Sequence, residues 1–197
     1  MYNPKKHNRK SIRLKGYDYS RVGLYFITIC TQNREHFFGK IENGQMILND
    51  AGYMIKKWYY EMENKYPDKR CHEIIVMPNH FHCIIENVLL DDISLDVHEG
   101  TSLRGRPEND ENECPENQYG IDNIKFNASI CDAMDWFKPM TTNAYIKGVK
   151  NFGWQSFCKK LWQRSYYEHI IRDENAYLKI SEYIKNNPAN WNEDSLK

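Results

Sequence analysis

Two histidines flank one apolar residue in the stretch Val76-Met77-Pro78-Asn79-His80-Phe81-His82-Cys83-Ile84-Ile85. In an extended strand, neighbouring side chains point to opposite faces, so His80 and His82 project side by side while Phe81 points away toward a core. Paired imidazoles on one face suit two ligands of a single divalent metal ion. The same triplet also occurs as an ordinary packed pair, so its chemistry depends on what else reaches that face. A second cluster lies in Asn175-Ala176-Tyr177-Leu178-Lys179-Ile180-Ser181-Glu182-Tyr183-Ile184-Lys185-Asn186-Asn187-Pro188. There Tyr177, Ile180 and Ile184 form an apolar stripe. Tyr183 and Asn187, four residues apart, share its edge and present a phenol and an amide together. An amphipathic tyrosine beside a polar helix cap would read the same way, and Pro188 biases Asn187 away from helical backbone.

The elements that must position these groups follow from periodicity. Leu24 to Thr31 is β-branched and aromatic and reads as a strand. Phe37–Ile41 and Gln45–Leu48 flank Asn43-Gly44, a strong hairpin signal. Asn49 and Asp50 offer caps to a helix carrying Met54, Ile55, Trp58, Tyr59 and Met62, which stops at Pro67. His72–Met77 and His80–Asn87 form a strand pair. Ala133 to Val149 has helical spacing, with Pro139 expected to start, kink or interrupt that helix. Leu161 to Ile171 reads as a strand, and Asp173 to Asn186 as a helix capped by Asp173. Strands and helices do not alternate regularly, so the expected class is α+β, an antiparallel sheet with helices packed on one face.

Composition sets the outer bounds. The 197 residues, 41% hydrophobic and 14% aromatic, suit one ordered domain. No apolar run approaches the roughly 20 residues of a membrane helix, so no membrane association and a cytoplasmic location are expected. The six cysteines include no Cys-x-x-Cys pair, against a zinc ribbon or redox motif. The net charge is zero but segregated: residues 1–40 hold nine Lys/Arg against two Asp/Glu, and residues 91–123 hold two against ten. The layout reads as a basic N-terminal arm over 1–20, one domain over 21–191 interrupted by an acidic insertion at about 89–123, and a short tail over 192–197. Lys15, Arg21, Arg34 and Arg164 are candidate phosphate contacts, and Tyr17 or Tyr19 candidate stacking surfaces for unpaired bases.

With these motifs in sequence order, the chain resembles the single-tyrosine HUH transposases of bacterial insertion sequences (HUH for His, hydrophobic residue, His), and most of all the REP-associated tyrosine transposases. The resemblance rests on Tyr25-Phe26-Ile27-Thr28-Ile29-Cys30-Thr31-Gln32-Asn33-Arg34, Leu48-Asn49-Asp50-Ala51-Gly52 and the His80-Phe81-His82 stretch. It continues through Leu161-Trp162-Gln163-Arg164-Ser165-Tyr166-Tyr167-Glu168-His169-Ile170-Ile171-Arg172 and Tyr183-Ile184-Lys185-Asn186-Asn187-Pro188. It implies a ferredoxin-like sheet similar to an RNA-recognition domain, and an endonuclease and strand transferase acting on single-stranded or hairpin DNA. It further implies that Tyr183 is the nucleophile, forming a 5′-phosphotyrosine, and that His80, His82 and Asn187 hold a divalent metal, Mg²⁺ or Mn²⁺. Imidazole ligands also suit zinc, so the ion's identity comes from the resemblance alone. Tyr166, Tyr167 and Tyr177 compete for the nucleophile's role, but only Tyr183 has an amide one turn on. Two alternatives stand beside this reading: a zinc-type hydrolase, for which no His-Glu-x-x-His pattern is present, and a domesticated, catalytically idle relative that only binds nucleic acid. Homodimer and monomer are both open.

Overall fold

The computed structural model describes residues 13–89 and 124–197. The basic arm up to residue 12 and the acidic insertion from residue 90 to 123 lie outside the described residues. Among the described residues, six strands and three α-helices follow in the order β1 (Gly23–Cys30), β2 (Gly39–Glu42), β3 (Gln45–Leu48), α1 (Asp50–Lys65), β4 (Lys69–Val76), β5 (His80–Asn87), α2 (Ile130–Phe152), β6 (Tyr167–Ile171) and α3 (Glu174–Asn186). The main sheet has the order β4-β5-β1-β6, every pair antiparallel. This is the expected α+β class.

Local signals explain most boundaries. Asn43 and Gly44 both take positive φ, 51° and 74°, as a tight turn matched to strand twist requires, and β2 and β3 close on it. The Asn49 side chain accepts from the Gly52 amide at 3.0 Å to start α1. Ser129 and Asp132 form a reciprocal capping box on α2, and Asp173 accepts from the Ala176 amide at 2.8 Å on α3.

Alternation along the strands divides the molecule in two. Tyr25, Ile27 and Ile29 of β1 and Phe81, Cys83 and Ile85 of β5 point toward α1 and α2, forming one large core with Ile55, Tyr59, Met62, Met134 and Phe137. The intervening residues face the other way, where Phe26, Ile84 and Ile171 meet Ile184 of α3. The expectation of helices on one face therefore holds for α1 and α2, while α3 covers the opposite face. Its apolar stripe needs a sheet surface to bury against, and α1 and α2 already fill the first.

Two further expectations change. Pro139 neither starts nor breaks α2, which runs unbroken through it. A mid-helix proline costs about 3 kcal/mol, but Trp136, Phe137, Thr141 and Tyr145 on either side are all buried and hold the helix in place. The strand expected from Leu161 begins only at Tyr167. Before it, Leu161 and Trp162 turn into the large core. The Trp162 indole donates to Thr141 Oγ1 at 2.9 Å, and the Lys138 ammonium donates to the carbonyls of Gln163 and Arg164, so this segment meets the end of β1 at a single antiparallel bridge, Thr31 to Trp162, and becomes a continuous strand only at Tyr167.

Candidate active site

His80 and His82 occupy the α3-facing side of β5, opposite Cys30 and Thr28 of β1. Both are buried, and their Nε2 atoms stand 3.1 Å apart. The Asn79 amide nitrogen donates to the Leu196 carbonyl at 2.8 Å and to the Arg34 carbonyl at 3.3 Å. Its oxygen is thereby left to accept from His80 Nδ1–H at 2.7 Å. His80 therefore carries its proton on Nδ1 and a lone pair on Nε2. His82 Nδ1 lies 2.7 Å from the Thr28 hydroxyl. Each imidazole also rests on an aromatic ring, His80 on Trp191 and His82 on Phe26. Burial pushes His80 down to about 4 despite the pull of Asp194. Burial, with His80 beside it, pushes His82 well below the ordinary histidine value. Both rings are neutral at pH 7.

The tyrosine helix meets this pair. The Tyr183 hydroxyl and the Asn187 amide nitrogen each lie 3.4 Å from His82 Nε2. Asn187 keeps helical backbone, φ −55° and ψ −43°, against the bias of Pro188, because its N–H still bonds the Ile184 carbonyl as the helix cap. Its side chain is buried, and among the described residues its Oδ1 has no hydrogen-bond partner. Tyr183 is 46% exposed, open to a bulky substrate. Partial burial and the Asp194 carboxylate hold its phenol above the usual tyrosine value, partly offset by the Asn187 amide. Of the competing tyrosines, Tyr166 is buried in the large core and Tyr177 donates to Glu73 at 2.8 Å, fastening α3 to β4.

The sequence reading missed Asp194. A short turn at Trp191–Glu193 brings the tail back over the site. Asp194 Oδ2 then lies 3.5 Å from His80 Nε2, buried and, among the described residues, without a hydrogen-bond partner. The guanidinium of Arg34 holds the tail by donating to the Ser195 carbonyl. Since His80 is neutral, this is not an ion pair: a lone pair faces a carboxylate. His82 can carry a hydrogen on Nε2 only if Thr28 donates to its Nδ1. That single hydrogen would still face both His80 Nε2 and the Asp194 carboxylate. Electron-rich atoms gathered in a buried space are reconciled by a cation. His80, His82 and Asp194 offer ligand atoms within 4.8 Å of one another. A 3.1 Å separation suits neighbouring nitrogens on one ion at about 2.1 Å each. Half a turn of the Asn187 amide would aim its oxygen at the same point. The donor set of imidazole and oxygen fits a divalent metal.

An uncharacterized protein of Haemophilus influenzae is 40% identical to this chain over 195 residues, covering 99% of the chain and 96% of the relative. The chain belongs to that protein's family. No family model matches it. Among solved structures, a REP-associated tyrosine transposase bound to a REP hairpin superposes with a TM-score of 0.53 at 19% identity, over 92% of this chain and 74% of that one. This member of the Haemophilus protein's family thus has the fold of a REP-associated tyrosine transposase.

The proposed DNA contacts of this family member are dispersed. Arg34 is exposed beside the site and its charge reaches His80. Arg164 is exposed on the segment leading to β6. Lys15 and Arg21 are exposed but precede β1, whose first residue pairs with Asn87, at the far end of β5 from His80. That is about 23 Å away along the strand. Tyr19 is no stacking surface: it is buried in the large core with Tyr17 packed edge-on against it. Among the described residues, no helix is long and apolar enough to cross a membrane.

Proposed function

We propose that the protein cleaves and rejoins single-stranded DNA as a tyrosine transposase, with Tyr183 as nucleophile and His80, His82, Asn187 and Asp194 as the metal-holding set. The observation that carries this reading is the meeting of the Tyr183 hydroxyl and the Asn187 amide at His82 Nε2, each 3.4 Å away, across 101 and 105 residues of chain. Tyr183 Oη attacks the scissile phosphorus, the P–O3′ bond breaks, the phenol proton passes to solvent, and the departing oxygen becomes a 3′-hydroxyl. The product is a 5′-phosphotyrosine. Because that bond keeps the phosphate ester, a second 3′-hydroxyl can reverse the step and join a new end. Half-exposure lets Tyr183 reach a phosphate on a polymer too large to enter a closed pocket. A divalent ion, Mg²⁺ or Mn²⁺, would supply positive charge to the phosphate oxygens as negative charge builds on them. Asn79 and Thr28 hold the two imidazoles in register for it. That the similar transposase was solved on a hairpin supports hairpin-forming DNA as the substrate class, and such an enzyme would work in the cytoplasm.

Incubation with labelled single-stranded and hairpin DNA plus Mn²⁺, followed by denaturing electrophoresis, tests the proposal. The wild-type chain is expected to form a covalent adduct, and Tyr183→Phe to form none while still binding DNA. An adduct with the Phe variant would overturn the nucleophile's assignment, and binding without any wild-type adduct would mark an idle binder.

A further inference from the structure

Among the described residues, α3 packs on β6 at Ile171 and leaves the start of that strand, on the face that carries the site, open. Alternation along β6 sends Ile170 to the large core and buries the Glu168 carboxylate, leaving Tyr167 and His169 exposed on the other face. Tyr167 pairs across from Thr28, the residue that holds His82, and its ring is 53% exposed. Between Tyr167 and Tyr183 lies Phe26, buried, with its ring edge-on to both at centroid distances of 6.3 and 6.1 Å. Two half-exposed phenols thus flank one apolar floor. Among the described residues, the Tyr167 hydroxyl makes no hydrogen bond, and its ring packs on Phe26. Among the described residues β6 pairs only with β1, and exposed Arg164 and Arg172 stand before and after it.

We propose that Tyr167 is the stacking platform for the unpaired base next to the phosphate that Tyr183 attacks, with the DNA strand lying along β6. This rests on the reading of the site given above. A strand that places a phosphate at the Tyr183 hydroxyl must lead its neighbouring nucleotide away to one side. Toward β4 the way is covered by α3, which is tied down through Tyr177 and Glu73. Toward the start of β6 the face is open among the described residues and ends in the exposed Tyr167 ring. An exposed ring accepts any base, because every base has a π-face, and the flanking arginines suit the phosphates on either side.

The test uses the full chain with oligothymidylate carrying a single 2-aminopurine, moved along the strand in successive probes. The wild-type chain should quench the fluorophore strongly at one position. Tyr167→Ala should remove that quenching and weaken binding about 5- to 150-fold, while Tyr167→Phe should preserve both. Because the side chain is exposed, unchanged circular dichroism is expected for both variants. Unchanged affinity and quenching in Tyr167→Ala would overturn the inference, as would a Phe variant that behaves like Ala. Adduct formation at Tyr183 separates the two readings. A wild-type chain that forms the adduct while Tyr167→Ala binds normally defeats the platform alone. A wild-type chain that neither binds nor forms adduct with any probe defeats the function and the platform together.

Discussion

Acidifying the metal-free protein should cost it about 3 kcal/mol of stability through His80 alone. The ring is fully buried, and burial holds its pKa at about 4, against about 6.5 in an unfolded chain. Below pH 6.5 the unfolded state binds a proton that the folded state refuses, so stability falls as the pH falls. The contribution is fully present above the unfolded value and is lost between 6.5 and 4. Each pH unit in that window is worth about 1.4 kcal/mol, giving about 3 kcal/mol in all. His82 is shifted in the same direction and pushes the loss further. The assay is urea unfolding in the presence of a chelator at several values between pH 7 and 4, followed by tryptophan fluorescence, to which Trp191 against His80 contributes. The control is His80→Gln, judged by its slope with pH and not by its absolute stability. If wild type and His80→Gln lose stability equally across the window, His80 is not the buried neutral imidazole described.

Other perturbations probe the same site and the core beneath it. Asp194→Ala should lower Mn²⁺ affinity in calorimetric titration by about tenfold or more; an unchanged affinity would remove Asp194 from the ligand set. Thr28→Val keeps the side-chain volume but deletes the hydroxyl at His82 Nδ1, and should weaken Mn²⁺ binding by about 10- to 100-fold in the same titration. Lys69 is fully buried, bonded to Asp68 at 2.9 Å and to the Ala128 carbonyl at 2.6 Å. Lys69→Met should destabilise by about 3–5 kcal/mol in urea unfolding by stranding a buried carboxylate, and adding Asp68→Asn should restore part of that loss.

The residues of the site were legible wherever a short period governs them. Two-residue alternation puts His80 and His82 on one face, and the four-residue helical spacing joins Tyr183 to Asn187. What no period encodes is which side of a sheet a helix will cover. The stripe of Tyr177, Ile180 and Ile184 announces a buried face and is silent on whether Phe26 or Ile27 receives it. Asp194 was missed for a related reason. It follows Pro188 in a short polar tail with no repeat, and its position depends on a carbonyl at Leu196 reaching the Asn79 side chain. The one signal was Trp191, an aromatic too large for a solvated tail, which the structure buries against His80. The expected break at Pro139 failed because local backbone preference is weaker than the packing of Phe137 and Tyr145.

Because Phe81 and its flanking histidines face opposite sides of one strand, the sheet is a partition between two kinds of inheritance. Substitutions at Tyr25, Ile27 or Cys83 would disturb the large core under α1 and α2, and those at Phe26, Thr28 or Ile84 the face that carries α3 and the two imidazoles. The two faces can therefore be altered at separate addresses on the same strands. The arrangement has one shared weak point. A single-residue insertion or deletion in the turn at Pro78-Asn79 that shifted β5 by one place would drive both imidazoles into the hydrocarbon interior and bring Phe81 out among the donors. Such a frameshift in pairing would disturb both faces at once.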